Sequence, residues 1–385
     1  MKNFLVTLAA ISLGTIAVAQ KIPPAPQYSA LKMVVPIAAA TPSLPGIEAM
    51  PVIPAVPLTP AIPVIPEIAL VENYSESNDS EDDGLTKSFS KTFPAGTSDK
   101  ISVNNQFGSI TVKTWDRKEV KADVTISAYS NNAGEQQKLL EDTRIEADKS
   151  GDQISFRTQM NTSRNGNWGN GTRNGKKWRR EVRVNYTLYV PSTNALNLSQ
   201  QYGNVEVGSH AGPVNAKVQY GDFNAQKLSS ANNNLNVQYG KMTVQDLNKA
   251  NLKQQYGGGI TLGTARDINV SAQYSNVTIE RLIGEGILNV QYNKLRIGEV
   301  AESSKVLTIS AQYGGVDVGF SDSYKGRLDV RTSYGGFKFG AGVSAKVEGD
   351  DEDGVSFSKS YNGNINGGGS GQVSVKSAYG SVTFR

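Results

Sequence analysis

Between Arg164 and Arg183 the chain gathers seven cations, Arg164, Arg173, Lys176, Lys177, Arg179, Arg180 and Arg183, against one acid, Glu181, with Trp168 and Trp178 among them. Basic side chains interleaved with indoles suit an anionic polymer: the cations supply long-range attraction and the rings add cation–π and stacking contacts. The bland alternative is a hairpin tip whose charge keeps it soluble or pairs with an acidic segment elsewhere. The Gly- and Asn-rich composition of this insertion, residues 161–181, predicts an irregular loop.

Other chemistry is thin. There is no cysteine and a single histidine, His210, in a GSHAG stretch that reads as a surface turn. A lone imidazole makes a His-based relay improbable, since general-base work near neutral pH most often uses one. The acidic run Glu348, Asp350, Asp351, Glu352 and Asp353 offers oxygen ligands, but its spacing fits no Ca²⁺ loop, and a solvated turn is the simpler reading. No cofactor or metal site is implied.

The elements that would carry such groups are strands. From Lys87 to Pro191 the segments KSFSKTF, KISVNNQFGSITVKTW, EVKADVTISAY, QISFRTQ and EVRVNYTLYV alternate apolar with polar residues. One helix is expected at 133–147, with Leu139, Leu140 and Ile145 on one side. After residue 191 a motif close to QYG recurs, with tyrosines at Tyr202, Tyr220, Tyr239, Tyr256, Tyr274, Tyr292, Tyr313, Tyr334, Tyr361 and Tyr379. A period near twenty residues is the mark of a solenoid, in which one unit stacks on the next.

Four residues before each tyrosine stands an apolar residue, from Leu198 and Ala216 to Phe357 and Val375. Pairs such as Val205/Val207 and Leu295/Ile297 follow three and five residues after it. Each unit therefore holds two short strands joined at Tyr-Gly, where glycine is expected to supply the bend. Ile260 and Ile365 come one residue late, which suggests bulges. By parity the tyrosine rings should form an inward or corner column, the alternative being an outward strip that stacks on sugars. Gln201, Gln219, Gln238, Gln255, Gln273, Gln291 and Gln312 should form an outer amide ladder. Phe107 in NNQFGSITV looks like an extra rung, so stacking should begin before residue 120. The outward row Glu206, Asn224, Thr243, Thr261, Thr278, Arg296, Asp317, Lys338 and Thr383 has no adjacent carboxylates, which weakens a polysaccharide-cleaving reading without excluding it.

The start, MKNFLVTLAAISLGTIAVAQ, reads as a secretory signal over 1–19 with an A-x-A site, implying export, and no later stretch has the length of a membrane span. Residues 20–71 carry prolines at every third position from Pro51 to Pro66, a stiff polyproline II stalk of about 50 Å over that stretch. Residues 72–86 form an acidic, solvated joint. A strand-rich segment, 87–191, then precedes the repeats, 192–385.

FGSITVKTW, the lead-in VNYTLYVP and the serial QYGxVxV units together resemble the bacterial "putative adhesin" family of β-strand repeats, common in Bacteroidota and related to auto-transporter adhesin heads. The likeness spans residues 87–385. It implies an all-β, right-handed, single-stranded β-solenoid with an N-terminal β-rich cap, exported to the periplasm, cell surface or medium. That protein would be non-enzymatic, its partner an anionic polysaccharide or another envelope component and not cytoplasmic nucleic acid, with self-association through exposed coil ends. SAYGSVTFR at the end reads as a last coil with no sorting module after it. An envelope scaffold and a polysaccharide-active enzyme are the alternatives.

Overall fold

A computed structural model describes residues 84–161, 168–348 and 357–385. These lie in one contact unit, Ile68–Arg385. The expected signal, the proline stalk and most of the acidic joint lie outside the described residues.

Two 14-stranded sheets carry almost everything. Each QYG unit sends one strand to each sheet. Val214–Gln219, for example, belongs to sheet II, and after the Tyr220 corner Phe223–Leu228 belongs to sheet I. The next unit repeats the pattern directly alongside, parallel and in register: Ala216 pairs with Leu235, Leu235 with Leu252, and Leu252 with Val270. On the other sheet Phe223 pairs with Met242 and Met242 with Ile260. Period-2 alternation then buries every second side chain, and the inward residues of both sheets join one hydrophobic cluster. Leu198, Ala216, Leu235, Leu252, Val270, Leu288, Ile309, Val330 and Val375 are all buried as the repeat requires.

The strands before the repeats extend the same sheets. Lys100–Phe107 pairs with Ala195–Tyr202, and Ile110–Trp115 with Val205–His210, both parallel. Phe107 thus opposes Tyr202, so the first rung stands at residues 100–115. The edges then close with antiparallel pairs: Leu85–Pro94 on Glu119–Ser130 in sheet I, and Thr143–Ser150 on Gln153–Met160 in sheet II. The helix is shorter than the periodicity suggests, Ala133–Asp142, and Ile145 lies on the strand Thr143–Ser150. Asn132 caps its start, its side chain accepting from the Gly134 and Glu135 N–H groups.

The corner is built differently from the sequence expectation. At Phe107 and Tyr202 the following glycine takes the positive φ. At Tyr220, Tyr239, Tyr256, Tyr274, Tyr292, Tyr313, Tyr334 and Tyr379 the tyrosine itself is left-handed, with φ from 52° to 62°. The glycine after it answers a different need, close approach: a Cβ on Gly240 would collide with the Gly221 carbonyl oxygen, and one on Gly221 with that of Gly203. Ser275 and Asn293 stand at this position in two corners, so the crowding is a property of each individual turn.

Three further expectations are corrected. Ile260 pairs in register with Met242 and Val277, its extra residue being absorbed in the turn at Gly259, φ 103°. The register shift in these ladders falls instead between Ile297 and Val300. At the C-terminal end the units do not stack in chain order. Gly371–Ala378 inserts between Val306–Gln312 and Gly326–Ser333, so Tyr379 follows Tyr313 and precedes Tyr334. Ser358–Ile365 runs antiparallel to Gly326–Ser333 and makes a hairpin with Val343–Glu348. Tyr361 therefore leaves the column and meets Phe337 edge-on, while Phe357 is 55% exposed instead of core. The 27-residue gap between Tyr334 and Tyr361 marks the break.

Gly240→Ala should lower stability by about 1–3 kcal/mol in chemical denaturation, the range for forced overpacking. Gly336→Ala, where a Cβ meets nothing, should stay within about 0.5 kcal/mol.

Candidate functional site

Successive corners bring the aromatic rings face to face. Trp168, Phe107, the tyrosines from Tyr202 to Tyr313, Tyr379, Tyr334 and Phe357 form one column, with centroids 4.5–6.1 Å apart and planes within 19°. The rings from Tyr202 to Tyr313 are half-buried, a corner position. Because each face is covered by the next ring, solvent meets edges and phenol hydroxyls. Stacking of a sugar on a ring face is therefore blocked along the interior of the column. Partial burial, then the neighbouring phenols, push the Tyr239 and Tyr274 hydroxyls above the ordinary tyrosine value, so they remain neutral at physiological pH.

One residue earlier runs the amide ladder. Gln219 Nε2 donates to Gln238 Oε1 at 2.7 Å, Gln238 to Gln255 at 2.9 Å, Gln255 to Gln273 at 2.8 Å and Gln273 to Gln291 at 3.0 Å. Each inner amide thereby uses one of its two N–H groups and one of its two oxygen lone pairs. The other N–H and lone pair remain. On the same face Asn234 donates to Asn215 and Asn215 to Asn197, at 3.3 and 3.4 Å.

At the N-terminal end of this face a depression of about 300 Å³ is lined by Asn104, Asn105, Gln106, Thr158, Ser199, Gln200, Gln201, Lys217 and Gln219. Two buried amides fix its floor. Asn105 Nδ2 donates to the Val184 and Phe107 carbonyls and its Oδ1 accepts from Thr158. Gln200 Nε2 donates to the Gly108 and Tyr202 carbonyls, and its Oε1 has no partner among the described residues. Polar donors and acceptors surrounding a shallow basin suit a polyhydroxylated ligand. This basin has no signature in the sequence, because Asn104, Thr158 and Ser199 meet only when three distant strands align.

The described part of the basic insertion, from residue 168 on, is a regular hairpin, not an irregular loop. Gly169–Arg173 pairs antiparallel with the start of Lys176–Pro191 across Asn174-Gly175, both at positive φ. Asn-Gly between two runs is the strongest short hairpin signal, and the sequence carried it. Arg173 and Lys176 face each other at the exposed tip, with Lys177 next. Arg164 lies outside the described residues. Trp178 lies against Gly171, and Trp168 begins the aromatic column. Arg179 stacks 3.6 Å from the Tyr129 ring centre and pairs with Glu181 at 3.2 Å. Arg180 pairs with Glu135 at 2.8 Å and lies over Trp168. These two cations are held by acids and rings of the same molecule, the nearest approach to the soluble-tip reading.

His210 is not on a surface turn. It is 2% exposed at the end of Val205–His210, with Nε2 donating to the Asn194 carbonyl at 2.8 Å. Its Nδ1 is buried without a partner among the described residues, and burial holds the imidazole below its ordinary value. On sheet I the outward row Glu206, Asn224, Thr243, Thr261, Thr278, Arg296, Asp317 forms as expected, with Thr383 and then Lys338 beyond it. Among the described residues no group of three or more His, Asp and Glu is placed to hold a metal ion. Of the acidic run only Glu348 is described, accepting from Asn362 at 2.7 Å. No described helix is long and apolar enough to cross a membrane.

No protein-family model and no curated protein matches the chain. Similar solved structures include a putative cell adhesion protein from Clostridium sporogenes (12% identity, 78% of this chain and 99% of that one, TM-score 0.22). A putative adhesin from Parabacteroides merdae is also similar (10%, 78% and 96%, TM-score 0.31). So is a putative lipid binding protein from Parabacteroides distasonis (10%, 77% and 96%, TM-score 0.28).

Acid should probe His210 directly. Because the folded imidazole is held neutral, the unfolded chain binds the extra proton, so stability should decline as pH falls below the ordinary histidine value of 6.5. In thermal melts between about pH 7 and 5.5, His210→Gln should flatten this decline; an equal slope in both proteins would refute it.

Proposed function

We propose that the chain is an exported, non-enzymatic, right-handed single-stranded β-solenoid of adhesin type, whose outward sheet II face holds a glycan or a similar envelope polymer. The observation that carries this reading is the spare hydrogen-bonding capacity of the glutamine column. Its amides are already fixed by one another, so a ligand that uses the free N–H and lone pair finds them pre-ordered and loses little side-chain entropy in binding them. A polymer with hydroxyls along its length matches a row of such groups at strand spacing, ~4.8 Å.

Three other features support the rest. From Ala195–Tyr202 to Val316–Phe320, parallel strands alternate between the two sheets with an aromatic corner at each passage from sheet II to sheet I, the pattern of one coil repeated. The Ala17-Val18-Ala19 cleavage pattern after an apolar run supports export. Three sheet I carboxylates are engaged with cations, Asp246 with Lys227, Glu299 with Arg281 and Asp317 with Arg385, which favours a structural role for these three.

The full-length protein and a Gln238→Ala/Gln255→Ala/Gln273→Ala variant would be run over a panel of immobilised polysaccharides, with circular dichroism confirming the fold. Retention of the native protein on at least one polysaccharide, weakened in the variant, is expected. Absence of retention on every polysaccharide would favour an envelope scaffold, and equal retention of both proteins would move the site off this face.

A further inference from the structure

The repeat strands of the two sheets differ in their acids. Eight neighbouring sheet II strands, from Ala195–Tyr202 to Gly371–Ala378, contain no Asp or Glu. Their partners in sheet I, from Val205–His210 to Val382–Phe384, hold Glu206, Asp246, Glu280, Glu299 and Asp317. The cations of the sheet II strands are Lys217, Lys253 and Lys376. All three are exposed, and none makes an ion pair with a described residue.

In-register pairing places these lysines in one row. Lys217 pairs with Asn236 and Asn236 with Lys253; beyond it only Ser and Asn intervene before Ser310 pairs with Lys376. Lys217 and Lys253 are two strands apart, ~10 Å, and Lys253 and Lys376 four strands apart, ~19 Å, at normal strand spacing. The charges fall on even multiples of the same step. The amide ladder flanks the row on one side, and the polar depression that includes Lys217 opens at one end.

Resting on the glycan reading above, we propose that the ligand of this face is a linear acidic polysaccharide with a carboxylate on alternate sugars, laid across the strands so that its carboxylates meet Lys217, Lys253 and Lys376. Charge complementarity selects an anion, since an acid-free face with unpaired ammonium groups attracts one and repels nothing in it. The wide, even spacing selects sparse charge. Nucleic acid, with a phosphate charge every ~1.7 Å of duplex axis, calls for denser cations. Single strands call for open aromatic faces, and here the ring faces are consumed in the column. No arginine lies on these eight strands to clamp phosphate bidentately.

Hyaluronan, which bears a carboxylate on every second sugar, is the probe, with carboxyl-reduced hyaluronan and an oligo-dT strand as comparators. The full-length protein and its Lys217→Gln/Lys253→Gln/Lys376→Gln variant, whose exposed substitutions leave the core untouched, would be titrated at low and high salt. Hyaluronan should bind in a salt-sensitive way and outbind its reduced form. The variant should lose about 10- to 100-fold in affinity at low salt, the effect of three exposed charge contacts. Equal binding of hyaluronan and its reduced form, an unchanged variant, or oligo-dT binding as tightly would each overturn the acidic ligand while leaving the glycan reading in place. Failure of hyaluronan to bind while neutral polysaccharides bind would do the same. Failure of every saccharide to bind would end both.

Discussion

The tyrosine corner is the constraint on which the rest depends. An L-residue in the left-handed region costs roughly 1–2 kcal/mol, and eight tyrosines accept it in succession. Stacking on the next ring returns about 0.5–1.5 kcal/mol per pair, and each interior ring is sandwiched between two others. The backbone stays hydrogen-bonded throughout: the Tyr220 N–H reaches the Gln238 carbonyl at 2.9 Å and the Tyr239 N–H that of Gln255 at 3.0 Å. A corner that is costly alone is thus sustained by its neighbours. That dependence ties the register of one turn to the next, and with it the alignment of every outward row.

Much of this was legible in the sequence because a repeat multiplies each small signal. The apolar residue four before tyrosine, Phe357 excepted, the glutamines from Gln219 to Gln291 and the outward Glu206-to-Asp317 row landed where parity put them. Phe107 entered the column as its spacing implied. What escaped was information not carried by period or parity. Which of two adjacent residues turns left-handed depends on ring stacking between turns, so Tyr-Gly alone misassigned the bend. The fate of His210 depends on Asn194, across the fold. Arg179 and Arg180 read as free charge because Tyr129 and Glu135, which occupy them, lie far away in sequence.

The basic insertion and the sheet II face make opposite cases about charge. In the insertion cations are dense, yet acids and rings of the same molecule hold two of them. On sheet II they are sparse, one per several strands, and were invisible as a cluster because Lys217 and Lys376 are distant in the chain. Local density in a sequence measures composition, whereas the field at a surface depends on what folding sets beside each charge.

The out-of-order last unit bears on how this molecule comes to be made. Residues 371–384 lie inside both sheets, between strands that precede them in the chain. A chain that emerges from its amino end can add its turns one by one until residue 326. From there the order changes: Gly326–Ser333 can pair at once with Ser358–Ile365, but those strands cannot join the rest of sheet II until Gly371–Ala378 has arrived and taken its place between them and Val306–Gln312. Completion of both sheets therefore waits on residues 371–384, and a chain halted before them would leave the edges of Val306–Gln312 and Val316–Phe320 open.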